Sequence, residues 1–158
     1  GLLESVAIND IIEKAVILIE HELKLQNIVI RRDFDLAVPR IRGDGQLLQQ
    51  VIFDLVHNAQ WAIKQKQEQR GEILIKTAFL QDDHCVEVCV QDSGIGISRE
   101  NLNHMFEPFF TTKPAGEGTG LGLSIIYDII QKHNGTIKIE TESGQGACFK
   151  VKLPEAAR

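Results

Sequence analysis

The chain has 158 residues and a formal charge of −5, with 43% hydrophobic and 25% charged residues. That is ordinary for one domain with its own core, and it excludes a disordered or collagenous segment. A net acidic chain also lacks the basic footprint of a nucleic-acid binder. Local glycine loops can nonetheless hold a small anion. No apolar run approaches the ~18 to 20 residues of a membrane span, and Glu4, Asp10 and Glu13 interrupt any secretory core. The first residue is Gly1 rather than Met, which is compatible with a cloning scar and an upstream continuation. The expectation is a single domain over 1–158, in the cytoplasm.

In chain order, an apolar stripe at Ile8, Ile11, Ile12, Ala15, Val16, Ile19 and Leu23 predicts a helix over about 9–24, with Asp10-x-x-Glu13 as a capping pattern. A strand is expected over 27–33. Gly43-Asp44-Gly45 breaks the chain before a long helix over 46–67. Two strands, 72–80 and 85–91, form a hairpin in which Val86, Val88 and Val90 alternate with Glu87 and Cys89. Residues 93–118 are irregular and rich in glycine, and a stretch of that length is usually functional. A third helix is expected over 120–133, stopped by Asn134-Gly135, and a hairpin of 136–141 with 148–153 closes the chain. The order fits an α/β sandwich: a mixed sheet of about five strands with about three helices on one face. Cys85 and Cys89 share a strand, roughly 13 Å apart against a disulfide limit of ~7 Å. Cys85 and Cys89 therefore read as small buried hydrophobes in a reducing cytoplasm, with a metal site as the lesser alternative.

Four features carry possible chemistry. On the long helix, Asp54, Asn58 and Trp61 fall together beside the apolar face, where an Asn amide oxygen can meet a hard cation. A solvated helix edge would look the same. Next, Asp92-Ser93-Gly94-Ile95-Gly96-Ile97 follows a buried strand. Its carboxylate only accepts, so it suits an adenine amine and repels a guanine carbonyl. An Asx turn is the plainer alternative. Third, Met105-Phe106-Glu107-Pro108-Phe109-Phe110-Thr111-Thr112-Lys113 holds three aromatics that are either core plugs or anchors of a lid. Fourth, Gly116-Glu117-Gly118-Thr119-Gly120-Leu121-Gly122-Leu123-Ser124 opens the third helix, where free N–H groups and the helix dipole favour phosphate. Neither a Walker loop nor a dinucleotide fingerprint matches this spacing.

Taken in order, these four features closely resemble the N, G1, F and G2 boxes of sensor histidine kinases. The ending from His133-Asn134-Gly135 through Gly146-Ala147-Cys148-Phe149 to Leu153-Pro154 is similar to that family's closing hairpin. The resemblance implies the catalytic ATP-binding domain of a two-component kinase, on the Bergerat fold shared with gyrase, the Hsp90 chaperones and MutL. It implies Asn58 as ligand of Mg2+ bridging the ATP phosphates, and Asp92 on adenine with Gly94 and Gly96 making room. Gly118, Gly120 and Gly122 would wrap the phosphates, and Thr112 and Lys113 border a short lid of the nitrogen-regulation type. Ile97, Phe106, Thr119, Leu121 and Leu123 join the implied nucleotide contacts, and Asn58, Asp54 and Lys113 the implied catalytic set. Implied partners are ATP or ADP, an upstream dimerisation and phosphoacceptor domain and, indirectly, a response regulator, with no nucleic acid and no membrane contact by this segment.

Two positions depart from the family pattern. Asp54 stands where sensor kinases usually carry Asn, as an outer magnesium partner, a weak general base or a tolerated isostere. Trp61 stands where many carry a polar or basic residue, which removes one phosphate contact. His21-Glu22-Leu23-Lys24 mimics the phosphoacceptor motif but lacks its Pro and lies only 37 residues before Asn58. The acceptor is expected outside this chain, and His57, His84, His104 and His133 are expected to be structural or solvated. An ATPase with a conformational cycle and a non-catalytic nucleotide-binding module are the alternatives.

Overall fold

In the computed structural model, which describes residues 3–113, 122–141 and 144–156, the first apolar stripe folds as two helices. These are α1 (Ile8–Ile17) and α2 (Glu20–Leu25). The chain tightens between them, with Leu18 N–H donating to Ala15 O at 3.3 Å and Ile19 N–H to Val16 O at 3.0 Å. Ile19 and Leu23 turn into the core while Ile17 and Leu18 stay exposed. The bend brings Glu13 of α1 and Glu20 of α2 to one guanidinium, that of Arg32, at 2.6 and 2.9 Å. That ion pair crosses from helix to strand, so helical periodicity carries no trace of it. The expected cap from Asp10 is also absent: Ala7 is the N-cap and supplies no side-chain bond.

Strands β1 (Glu4–Val6) and β3 (Ile41–Gly43) pair antiparallel as a small ribbon that sequence reading missed. At three residues each they are too short to show an alternation. Helix α3 (Gly45–Lys66) starts from Asp44, whose carboxylate accepts Gln46 N–H at 3.0 Å and Leu47 N–H at 3.2 Å. Those bonds satisfy orphan amides and hold the Asp44 carboxyl below its usual range, the Leu47 amide having the larger effect. The main sheet comprises β2 (Ile28–Phe34), β4 (Gly71–Leu80), β5 (Cys85–Asp92), β6 (Thr136–Thr141) and β7 (Ala147–Pro154). Its order is β2-β4-β5-β7-β6, with β2 and β4 parallel and the other pairs antiparallel.

Helices α1, α3 and α5 (Gly122–Lys132) supply buried residues to the same core as the sheet. Ile12, Leu55, Ile126 and Ile130 meet Ile73, Ile75 and Val88 there. Strand parity then places the chemistry. Val86, Val88 and Val90 are buried toward the helices, and the same parity carries Asp92 inward at the end of β5. Cys89 has the opposite parity, as does Cys148 on β7. The two are joined as a disulfide on the open face of the sheet, with Cα atoms 6.4 Å apart, and only Cys85 is free. The reading of Cys89 as a separate buried hydrophobe is therefore corrected; its cross-strand partner lies 59 residues on, out of reach of a same-strand test.

One buried histidine ties the ends of two helices. His133 Nδ1 donates to Ile129 O at 2.7 Å, and Nε2 accepts Asp44 N–H at 3.0 Å, joining the end of α5 to the start of α3. A Cβ on Gly43 would stand 2.8 Å from this ring, so glycine is needed for the approach. Among the described residues, no helix is long and apolar enough to cross a membrane.

Candidate nucleotide-binding site

Between α3, the end of β5 and the loops after it lies a cavity of about 400 Å³. That is within the roughly 300–1,000 Å³ usual for ligand pockets. Nine of the residues singled out in the sequence line it: Asp54, Asn58, Asp92, Gly96, Ile97, Thr112, Lys113, Gly122 and Leu123. Trp61 joins Asp54 and Asn58, as the helical spacing requires. Gly118, Thr119, Gly120 and Leu121 lie outside the described residues. A larger recess of about 590 Å³ lies on the open face of the sheet and shares Asp92, but has none of the α3 residues.

Asp92 is the buried polar group of the cavity, with 6% of its surface exposed. Its Oδ1 accepts Gly94 N–H at 2.8 Å, and Ala147 N–H also donates to the carboxylate. Burial dominates all the same and pushes the Asp92 carboxyl above its usual value, against those two amides and the charge of Lys66. The loop after Asp92 is fixed from two sides. Ser93 exchanges bonds with Glu72: Ser93 N–H donates to Glu72 O at 3.1 Å, and Ser93 Oγ accepts Glu72 N–H at 2.9 Å. Ile97 N–H donates to Thr141 Oγ1 at 2.9 Å, and that hydroxyl donates to Gly146 O at 2.7 Å.

The glycines divide by what they touch. Gly96 has φ 71° and lines the cavity, so its freedom serves the loop's turn beside the ligand space. Gly94 instead faces α3: a Cβ there would lie 2.6 Å from the Ala62 carbonyl carbon, and Ile95 N–H donates to Ala62 O at 3.2 Å. Its place is a loop-to-helix contact rather than open cavity. Gly146, named in the sequence only as part of the closing hairpin, has φ 87° and would drive a Cβ into the backbone of Asp92.

The aromatic segment is only partly anchored. Phe106 packs on the core with its ring 5.4 Å from that of Tyr127 on α5, outside the cavity lining. Phe110 lines the cavity, 5.6 Å from His104. Phe109 has φ 67° and is 75% exposed, so the expectation of three packed rings holds for two. Thr111 Oγ1 accepts Lys113 N–H at 3.0 Å, and Lys113 Nζ lies 5.5 Å from the centroid of the Trp61 ring. On α3, Gln50 Nε2 donates to Asp54 Oδ1 at 2.7 Å. His57 is exposed at the cavity edge and stacks on Phe53 at 6.2 Å. Ala62, Ala147 and Phe149 also line the cavity and were not singled out as site residues, because apolar lining reads in sequence as core.

The donor set suits a hard cation. Asn58 and Asp54 offer amide and carboxylate oxygens one helical turn apart. Among the described residues no group of three or more His, Cys, Asp or Glu could hold a metal alone. Two protein oxygens with water and phosphate completing the shell is how Mg2+ is usually held.

Comparison with known proteins gives the family and the fold. Sensor histidine kinase ZraS of Salmonella typhi is 36% identical over 156 residues, which is 99% of this chain. The chain spans 32% of that relative's length. The solved catalytic domain of histidine kinase ThkA superposes with a TM-score of 0.85 at 31% identity, covering 99% of this chain and 100% of that one. Full-length ShkA, solved in complex with AMPPNP, gives a TM-score of 0.85 at 26% identity over 100% of this chain and 32% of its own. The described α/β fold is thus that of histidine-kinase catalytic domains. Residues 43–157 match the family model, and the chain belongs to the histidine kinase-, DNA gyrase B-, and HSP90-like ATPase family.

Proposed function

We propose that this chain is, over its whole length, the ATP-binding catalytic domain of a two-component sensor kinase, working in the cytoplasm. It would bind Mg-ATP and present the γ-phosphoryl to a histidine on an upstream dimerisation domain, from which a response regulator is served. The observation that carries the reading is Asp92: a buried carboxylate, held by two amides, opening into the same cavity as Asn58 and Asp54. An acceptor-only group of this kind matches the exocyclic amine of adenine.

In this reading Asp92, Gly96 and Ile97 receive the base, while Gly94 fixes the loop against α3. Asn58 holds Mg2+ through its amide oxygen, with Asp54 beside it. Bound there, the metal supplies charge stabilisation for the transferring phosphoryl group. Thr112 and Lys113 face the phosphate end, and Lys113 adds a fixed positive charge. Phe106 acts from outside the cavity, anchoring its segment on Tyr127. Gly122 and Leu123 begin α5 at the cavity, downstream of Gly118, Thr119, Gly120 and Leu121. The chain's own contribution is positioning and electrostatics; the nucleophile is the absent imidazole.

The test has two arms. This chain alone should bind ATP and not label itself, whereas the parent protein with its upstream region restored should carry acid-labile phosphate on an upstream histidine. Phosphate on His21 of the isolated chain would overturn the reading. ATP hydrolysis without phosphotransfer in the longer protein would favour the ATPase alternative, for which Asp54 is the candidate base.

A further inference from the structure

The cavity has an electrostatic problem that its own residues must solve. Asp54 and Asp92 both line it, the chain carries a formal charge of −5, and the ligand of the reading above is itself a polyanion. Among its described lining residues, Lys113 is the one lysine or arginine. What holds that lysine therefore decides whether a cation stands at the phosphate end.

Two contacts hold it. The Thr111 hydroxyl accepts the Lys113 backbone N–H at 3.0 Å, which fixes the turn, and the ammonium stands 5.5 Å from the centroid of the Trp61 ring. That distance is within the ~6 Å over which an indole face attracts a cation. Among the described residues Lys113 has no carboxylate partner. The difference matters, because a carboxylate would neutralise the lysine while an indole face retains its charge. Trp61 is placed for this by α3: it follows Asn58 by three residues on the same flank and lines the same cavity.

We infer that Trp61 is a positioning residue for the phosphates. Its indole face holds Lys113 Nζ at the cavity, so a helix position without charge borrows a cation from the neighbouring loop. The inference rests on the proposed ATP site and goes beyond it in assigning a role to Trp61 and a state to Lys113. It also predicts a direct signal. Trp61 is the only tryptophan in the chain, so its fluorescence reports the ammonium above its ring.

The test is calorimetric titration of this chain with Mg-ATP, ADP and AMP for wild type, Trp61→Leu, Trp61→Phe, Lys113→Gln and the double variant Trp61→Leu/Lys113→Gln. Trp61→Leu should weaken ATP roughly 2- to 30-fold, the span of a cation–π contact at about 1.4 kcal/mol per decade. AMP affinity should stay within about twofold, because the inference concerns the outer phosphates. Trp61→Phe, which keeps a π face, should recover part of the loss. The double variant should bind ATP no more weakly than Lys113→Gln. In the ligand-free protein Lys113→Gln should shift Trp61 emission, a readout that needs no Trp61 variant to fold.

Losses that add in the double variant would overturn the inference, since the two residues would then act separately. An equal loss for AMP would also overturn it, by making Trp61 a wall of the base pocket. Emission unchanged by Lys113→Gln would sink it as well. Wild-type chain that binds none of the three nucleotides would defeat the site itself; binding without the coupled pattern would defeat this inference alone.

Discussion

Replacing Asp92 with Ala perturbs ligand and fold together, and the two can be separated. The carboxylate accepts amides from Gly94 and Ala147, and in the proposed site it also takes the adenine amine. A hydrogen bond to a charged group is worth about 1.5–3 kcal/mol, so Asp92→Ala should weaken ATP roughly 10- to 150-fold. It also strands two amides at about 1–3 kcal/mol each, partly offset by deleting a buried charge. Asp92→Asn is the cleaner partner. Its Oδ1 can keep the Gly94 bond, while its NH₂ turns a donor toward the adenine amine.

Calorimetric titration with ATP and GTP, beside thermal melts, reads both effects. Wild type should prefer ATP, and both variants should lose that preference. Equal ATP and GTP affinities in wild type would refute the assignment. The raised carboxyl pKa adds a pH test. The folded state binds the Asp92 proton more tightly than the unfolded one, so the Asp92 contribution to ligand-free stability, read as the difference between wild type and Asp92→Asn, should rise as pH falls through the folded pKa toward the ordinary aspartate value. Only the ionised form is a pure acceptor, so ATP affinity should fall across that same window. Asp92→Asn should abolish that fall in affinity.

Two further variants probe the site and the packing that supports the fold. Asp54→Asn can keep the bond from Gln50 through Oδ1 but loses the charge, so magnesium-dependent ATP affinity should drop while magnesium-free binding holds. Titrations with and without the metal check this, and an unchanged pair would reduce Asp54 to an isostere of Asn. A drop in hydrolysis of about 10²-fold or more would instead make it a general base. His133→Ala removes the acceptor of Asp44 N–H and the donor to Ile129 O, so denaturant unfolding should report a loss of about 1–3 kcal/mol. Stability within about 0.5 kcal/mol of wild type would refute the helix-joining role.

The parts of this molecule that were legible in sequence are those governed by one period. The alternation of Val86, Val88 and Val90 gives β5 its inward face, and the same count carries Asp92 to that face at the strand's end. Helical spacing likewise groups Asp54, Asn58 and Trp61 on one flank of α3, which the cavity bears out geometrically. Contacts between elements leave no such trace. The Arg32 pairs that accompany the break between α1 and α2, the His133 bonds across 89 residues to Asp44, and the Cys89–Cys148 link each depend on which strand or helix lies alongside.

Gly94 and Gly146 show where the two kinds of information meet. In sequence Gly94 reads equally well as a turn glycine or a ligand contact, and Gly146 only as part of the closing hairpin. Only the packing distinguishes them: Gly94 lets the loop lie on the Ala62 backbone, and Gly146 lets the β6–β7 hairpin lie on Asp92 itself. The buried carboxylate is thus clamped between α3 and β7 by two side chains' absence. A Cβ at either position would strike backbone, which cannot swing aside as a side chain can. The orientation of Asp92, and with it the adenine preference proposed for this site, is held by backbone contacts at Gly94 and Gly146.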